Sequence, residues 1–331
     1  PRELLREVAP ATRPVISLCE GNDPRIVAGA LAAHGAGLAN VILVGDEEAG
    51  RAELARQNGT AGDGIEFHDP KTSPLTREFA AAYLRLRQHK GVDQRAALEA
   101  VLSPVVYAAM LVRLGHACGT LGGAVHTTGE IVRTAIQVIG VAEETPMVSS
   151  FFLMYPPEGA TPEARPMLYS DCGLVIDPTP AELAEIAKAS AASCRALLRA
   201  HPKIAMLSFS TQGSANHTSV SKVSRGLEIL KNDAPDLDAD GEMQFDAAFV
   251  ASIGELKAKG SDVAGQANVM IFPNLDAGNI GYKITQRLGG YSAIGPVLQG
   301  LAKPANDLSR GCTAEDVTEM IAVTCLQAGH A

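Results

Sequence analysis

Pro14-Val-Ile-Ser-Leu-Cys19 runs directly into Glu20-Gly-Asn-Asp-Pro-Arg25, an apolar run that breaks into a turn. Ile26 to His34 then has the character of a helix, ended by Gly35 and Gly37. Val41-Ile-Leu-Val44 reads as the next buried strand, closed by Gly45-Asp46. This strand-turn-helix-strand rhythm predicts a parallel sheet with helices on its faces, an α/β fold. Ser73-Pro74 has the pattern of an N-cap with proline at the first helical position, and opens a helix carrying Arg85 and Arg87.

The second half repeats the grammar. Val148 to Met154 reads as a strand before the proline-rich loop that starts at Tyr155. Leu168 to Cys172, Leu174 to Ile176, Lys203 to Phe209 and Asn268 to Phe272 are further short strands. Thr179-Pro180-Ala-Glu182 is a capping box that opens a long alanine-rich helix. With 331 residues, two domains are expected, and the composition shifts near residues 140 to 150. A last helix from Thr313 fits either half.

The net charge of -9 argues against a nucleic-acid surface but not against a local anion site. Cys19, Cys118, Cys172, Cys194, Cys312 and Cys325 are scattered without metal-ligand spacing, as expected of reduced thiols in a cytoplasmic protein with no metal. The start, Pro1-Arg-Glu-Leu-Leu-Arg-Glu7, is charged and amphipathic and lacks a signal-peptide core. Val105 to Val112 is too short to span a bilayer, so no membrane association is expected.

Near the C-terminus, Gly300-Leu-Ala-Lys-Pro-Ala-Asn-Asp-Leu-Ser-Arg-Gly-Cys-Thr-Ala-Glu-Asp316 is densely polar. Arg310 offers a fork of donors for a phosphate or a polarised carbonyl. Ser309 can donate to a developing oxyanion, and Asp316 can accept a proton. Thr313 and Asp316 equally fit a capping box, so Asp316 has two readings. Ser208-Phe-Ser-Thr-Gln-Gly-Ser-Ala-Asn-His217 follows a strand, and Ser210, Thr211, Gly213 and Ser214 can cradle a phosphate or serve as an ordinary connection. Gly122-Gly-Ala-Val-His-Thr-Thr-Gly-Glu130, with Arg133 after it, permits close approach of a ligand; His126 is read as a structural partner. Arg85, Arg87 and Lys90 form a basic cluster on one helix, while Lys283 and Arg287 share another helical face. Among the cysteines, Cys312 beside Arg310 is the candidate for reactivity.

Several segments together resemble the phosphate acetyltransferase family. They include Glu20-Gly-Asn-Asp-Pro-Arg25, Leu86-Arg-Gln-His-Lys-Gly91, Met206-Leu-Ser-Phe-Ser-Thr211, Phe272-Pro-Asn-Leu-Asp276 and Asn306-Asp-Leu-Ser-Arg-Gly311. The chain departs from the family at Ala117-Cys118-Gly119 and Gly122-Gly-Ala124, where an acid and a hydroxyl are lost. The resemblance implies two α/β/α domains with a cleft between them, similar to the isocitrate and isopropylmalate dehydrogenase fold. Domain I would comprise residues 1–143 plus 298–331, and domain II residues 144–297.

The implied reaction is reversible acetyl transfer between acetyl phosphate and coenzyme A. Coenzyme A is a co-substrate, phosphate the other product, and no cofactor is tightly bound. The family typically forms a homodimer. By the same resemblance Asp316 falls at the base for the thiol, Ser309 assists the transition state, and Arg310 binds acetyl phosphate. Arg87 and Arg133 match arginines linked to coenzyme A. Alternatives are a butyryl-specific transferase or a non-catalytic module of the same fold. A decarboxylating dehydrogenase would need an acidic metal cluster that the sequence lacks.

Overall fold

A computed structural model describes residues 13–62 and 64–329. The amphipathic stretch from Pro1 to Glu7 lies outside the described residues. In chain order, the first unit contains β1 (Val15–Cys19), α1 (Pro24–Gly35), β2 (Asn40–Val44), α2 (Glu47–Arg56) and β3 (Ile65–His68). It continues with α3 (Thr76–Arg87), α4 (Gln94–Val101), α5 (Pro104–Arg113), β4 (Gly119–Gly122) and α6 (Thr128–Thr134). The second unit contains β5 (Ser149–Tyr155), β6 (Met167–Ser170), α7 (Pro180–Leu198), β7 (Lys203–Leu207) and α8 (Thr218–Asp233). It goes on through β8 (Asp238–Met243), α9 (Phe245–Phe249), α10 (Ala251–Lys257), β9 (Val269–Ile271), α11 (Leu275–Arg287) and β10 (Ser292–Gln299). The chain then returns to the first unit with β11 (Ala305–Asp307) and α12 (Ala314–Ala328).

The first unit runs to Glu143 and resumes at Leu301; the second spans Glu144–Gly300. Residues 298–300, assigned from the sequence to the first domain, are the end of β10 and its following turn in the second. The first sheet has the order β11-β4-β1-β2-β3, with every pair parallel. The second has the order β10-β5-β6-β9-β7-β8 and is mixed, since β10, β5 and β6 pair antiparallel.

The opening stretch forms the strand and helix it predicts: Asp23 caps α1 by accepting from the Arg25 N–H, and Pro24 takes the first turn. The apolar run in α5 is a buried core helix with Tyr107, Met110, Leu111 and Val112 fully enclosed. Among the described residues no single helix is long and apolar enough to cross a membrane. The returning segment is integral to the first unit. β11 extends the sheet beside β4, and α12 lays Val317 and Ile321 into the core. Gly29 of α1 lets the two helices approach closely, because a methyl there would meet the Val317 side chain. Burying each such aliphatic side chain contributes about 1.5–3 kcal/mol.

Three local expectations fail for physical reasons. The helix after Ser73-Pro74 begins at Thr76, because the Ser73 hydroxyl bonds the Tyr107 hydroxyl at 2.5 Å instead of capping that helix. Its basic cluster is split: α3 ends at Arg87, and Lys90 lies in the following 3-10 turn, Gln88–Lys90. Leu174 to Ile176 is not a strand. The buried Asp171 carboxylate accepts from the Gly173 and Leu174 N–H groups at 2.8 and 2.9 Å, curling the chain, and Ile176 is left 75% exposed. Asp171 also accepts from the Ser150 N–H and hydroxyl, at 2.7 and 2.6 Å.

Candidate active site

In the first unit, the parallel strands β1, β4 and β11 all end at one edge of the sheet, where their following loops meet. Such an edge is where open α/β sheets place ligands. Glu20, just after β1, has a left-handed backbone (φ 69°), uncommon for a residue with a side chain. Its buried carboxylate accepts from the N–H groups of Gly123, Ala124, Val125 and His126, at 3.2, 2.8, 2.9 and 2.7 Å. The His126 ring Nδ1 lies 2.7 Å from the same carboxylate. The amides that the glycine-rich loop was expected to offer a ligand are therefore taken by the protein's own anion. His126 is the structural partner expected.

Arg25 ties the three loops together. Its guanidinium pairs with Asp23 at 2.8 Å and donates to the carbonyls of Ala124 at 2.9 Å and Arg310 at 2.7 Å. The hydrogen bonds from Arg25 hold the Asp23 carboxyl below the usual range, and Asp23 raises Arg25 in turn. A fourth tie is the Leu308 N–H, which donates to the Gly122 carbonyl at 2.6 Å.

This clamped turn presents Ser309 and Arg310 to solvent. Among the described residues the Ser309 hydroxyl accepts only a 3.2 Å bond from the Gly311 N–H. Asp316 sits in a complete capping box at the start of α12: its Oδ2 accepts from the Thr313 N–H and hydroxyl, at 2.8 and 2.9 Å. Asp316 is exposed, and its Oδ1 accepts no hydrogen bond among the described residues. The structure thus gives Asp316 its capping role while leaving one oxygen open. Cys312 is buried, and burial pushes its thiol up despite the opposing charge of Arg25. That is an inert thiol, not the reactive one its neighbourhood suggested.

The two arginines matched to coenzyme A lie on other elements of this unit. Arg133 is exposed near the end of α6. Arg87 ends α3, half-buried, with an Nε that has no hydrogen-bond partner among the described residues. No hydrogen bond or ion pair among the described residues links either to Ser309, Arg310 or Asp316.

In the second unit, the loop after β7 is also filled from within. Glu242 on β8 accepts from the Ser210 hydroxyl at 2.7 Å, the Gly213 N–H at 2.8 Å and the Ser224 hydroxyl at 2.8 Å. Burial works to raise this carboxyl, but those three donors outweigh it and hold it low. Ser210 and Thr211 are buried and turned to protein partners, whereas Gly213 and Ser214 are exposed. Lys283 and Arg287 lie one turn apart on α11, both exposed.

Sequence reasoning missed Glu20, Arg25 and Glu242 as organisers. Only an acid directly after a buried strand, followed by glycine, hinted at the first. One group of three potential metal ligands occurs among the described residues: Cys19, Glu20 and His126, within 4.8 Å of one another. It does not suit a cation. The Glu20 oxygens face N–H donors, and burial, then the Glu20 charge, keeps the Cys19 thiol protonated.

A family model described as phosphate acetyl/butaryl transferase matches residues 2–325. The chain is 46% identical to a phosphate acetyltransferase from Paracoccus denitrificans, over 99% of both chains. It is 42% identical to one from Bacillus subtilis over 93% of both. Among solved structures, a phosphotransacetylase from Streptococcus pyogenes superposes with a TM-score of 0.92 at 40% identity, covering 99% of this chain and 98% of that one. Sequence and fold agree, and the chain belongs to the phosphate acetyl/butaryl transferase family.

Proposed function

We propose that the protein is a phosphate acetyltransferase, moving an acetyl group reversibly between acetyl phosphate and coenzyme A with no tightly bound cofactor. The observation that carries this reading is the clamped turn, which holds an exposed guanidinium and hydroxyl on a rigid strand edge without a nucleophile pair. The coenzyme A thiolate attacks the acetyl carbonyl and forms a carbon–sulfur bond, the bond from the acetyl carbon to the bridging oxygen breaks, and that oxygen leaves with phosphate. No acyl-enzyme forms. Arg310 binds the phosphoryl group and, with Ser309, faces the developing oxyanion. Arg87 and Arg133 bind coenzyme A. Gly213, Ser214, Lys283 and Arg287 contact the anionic substrates, with Ser210 and Thr211 shaping that loop from beneath. A cytoplasmic homodimer belongs to the same proposal.

The experiment follows thioester formation from acetyl, propionyl and butyryl phosphate with coenzyme A. Fastest turnover with acetyl phosphate is expected. No thioester from any of the three would overturn the enzyme reading, butyryl preference the acetyl one. Acetylated protein after mixing with acetyl phosphate alone would overturn direct attack.

Asp316 acts through its open oxygen as base for the thiol, and thiol chemistry bounds its contribution. A thiol of pKa about 8.5 is only a few per cent ionised at pH 7, so complete ionisation supplies at most ~30-fold, about 2 kcal/mol. Asp316→Asn keeps an oxygen for the Thr313 bonds and removes the base. We expect a ten- to thirty-fold loss of kcat (about) at pH 7 that fades above about pH 8.5, with the melting temperature nearly unchanged. Full activity at pH 7 would leave Asp316 only its cap.

A further inference from the structure

We propose that Asp307 is a positioning residue for acyl transfer: as a proton-bearing carboxyl it sets the Leu308–Arg310 turn against α6. The inference rests on the acyl-transfer reading of Ser309 and Arg310. Asp307 ends β11, immediately before that turn, and is 1% exposed. Its Oδ2 accepts from the Thr128 hydroxyl at 2.6 Å, which joins the turn to the first residue of α6, the helix carrying Arg133. Its Oδ1 is buried with no hydrogen-bond partner among the described residues. Gly123 has φ 110°, and a Cβ there would run into this Oδ1. The N–H of the same glycine donates to Glu20.

Two buried carboxyls therefore flank Gly123, and a negative charge on Asp307 would face that of Glu20. Glu20 takes every converging N–H of the 123–126 loop and the His126 ring. Asp307 has the Thr128 hydroxyl and a weaker share in the Leu308 N–H, whose 2.6 Å bond goes to the Gly122 carbonyl. No ion pair among the described residues compensates it. Arg25 spends its fork on Asp23 and the carbonyls of Ala124, Arg310 and Cys312, and Cys19 is a neutral thiol. On α6, Glu130 closes the capping box and Arg133 is exposed; α12, which packs on β11, contributes the acids Glu315, Asp316 and Glu319. In keeping with this, burial first and Glu20 second push the Asp307 carboxyl up to about 7, against the hydrogen bonds from Thr128 and Leu308. Below that pH the neutral group holds the turn. Above it, a second negative charge beside Glu20 loosens the turn, producing a falling limb in the rate.

The test measures acetyl-CoA formation and thermal midpoints from pH 5.5 to 9.5 for the wild type, Asp307→Asn and Thr128→Val. Asp307→Asn mimics the neutral acid. It is expected to stay within about threefold of wild type at pH 6, and its ratio of rates at pH 8.5 and pH 6 to exceed the wild-type ratio about tenfold. Thr128→Val removes the bond favouring ionisation, so the falling limb moves to higher pH. An unfolded-state carboxyl ionises near pH ~3.9, so wild-type stability falls as pH rises from there through about 7. The midpoint of Asp307→Asn relative to wild type should therefore climb over that range and then level. Folded but inactive Asp307→Asn at every pH, an unchanged limb in it, or an unmoved limb in Thr128→Val would each overturn the proposal. If Asp307→Asn does not fold, Thr128→Val decides. Failure of the wild type to make any thioester defeats the acyl-transfer reading, and with it this proposal. An active wild type with unmoved limbs defeats only the role of Asp307.

Discussion

Glu20→Ala is expected to lower folding stability by about 3–5 kcal/mol, a large share of the ~5–15 kcal/mol that holds a typical domain. The buried carboxylate accepts from four backbone N–H groups and faces one imidazole nitrogen. Without it those donors lose their partner, and each buried unsatisfied group costs about 1–3 kcal/mol unless the loop opens to water. Opening is the cheaper route, so the loss falls short of the full sum. It also frees Ala124 from its place under Arg25, and with it the turn at Arg310. Activity is therefore expected to fall with stability. Glu20→Gln fares little better, because its NH2 group would confront N–H donors. Urea unfolding provides the check: the midpoint should drop with an unchanged slope. A shift worth less than about 1 kcal/mol would show that the loop does not depend on this anion.

Arg310→Ala should leave stability within about 0.5 kcal/mol of wild type, because the residue is exposed and, among the described residues, only its carbonyl is used internally. The rate should suffer heavily. Removing a charge aimed at a developing oxyanion costs roughly 10²–10³ in turnover, so kcat/KM for acetyl phosphate should fall by about that factor. The KM for coenzyme A should move little. Arg310→Lys should recover only part of the loss, since an ammonium lacks the planar fork that matches a phosphoryl group. Steady-state kinetics with each substrate varied in turn distinguishes these outcomes. A loss under about threefold for Arg310→Ala would remove Arg310 from the site.

The α/β layering was legible from residues 14 to 46 because buried parallel strands and capped helices are local patterns. The Thr179 and Thr313 capping boxes were equally plain, since all their partners lie within three residues. Ser309 and Arg310 stood out as polar groups too dense for packing. Glu20 did not, because its partners lie more than a hundred positions away, and an acid after a strand looks like a solvated turn. β8 escaped because Asp-Ala-Asp-Gly-Glu-Met carries three acids and no β-branched or aromatic residue, so the carboxylate that fills the loop after β7 was hidden with it. Asp307 was visible as a polar residue, but its burial depends on how β11 joins β4.

Three loops in this chain curl their amides around an anion that the chain itself supplies: Glu20, Asp171 and Glu242. The conformational entropy of ordering such loops is thus spent when the protein folds, and in the proposed site substrate would meet the loops at Glu20 and Glu242 already set. Binding then carries no ordering penalty at these positions, and association should be fast, limited by encounter more than by rearrangement. The amides of residues 123–126 should accordingly resist exchange with deuterium in the unliganded protein, and saturating coenzyme A should add little further protection.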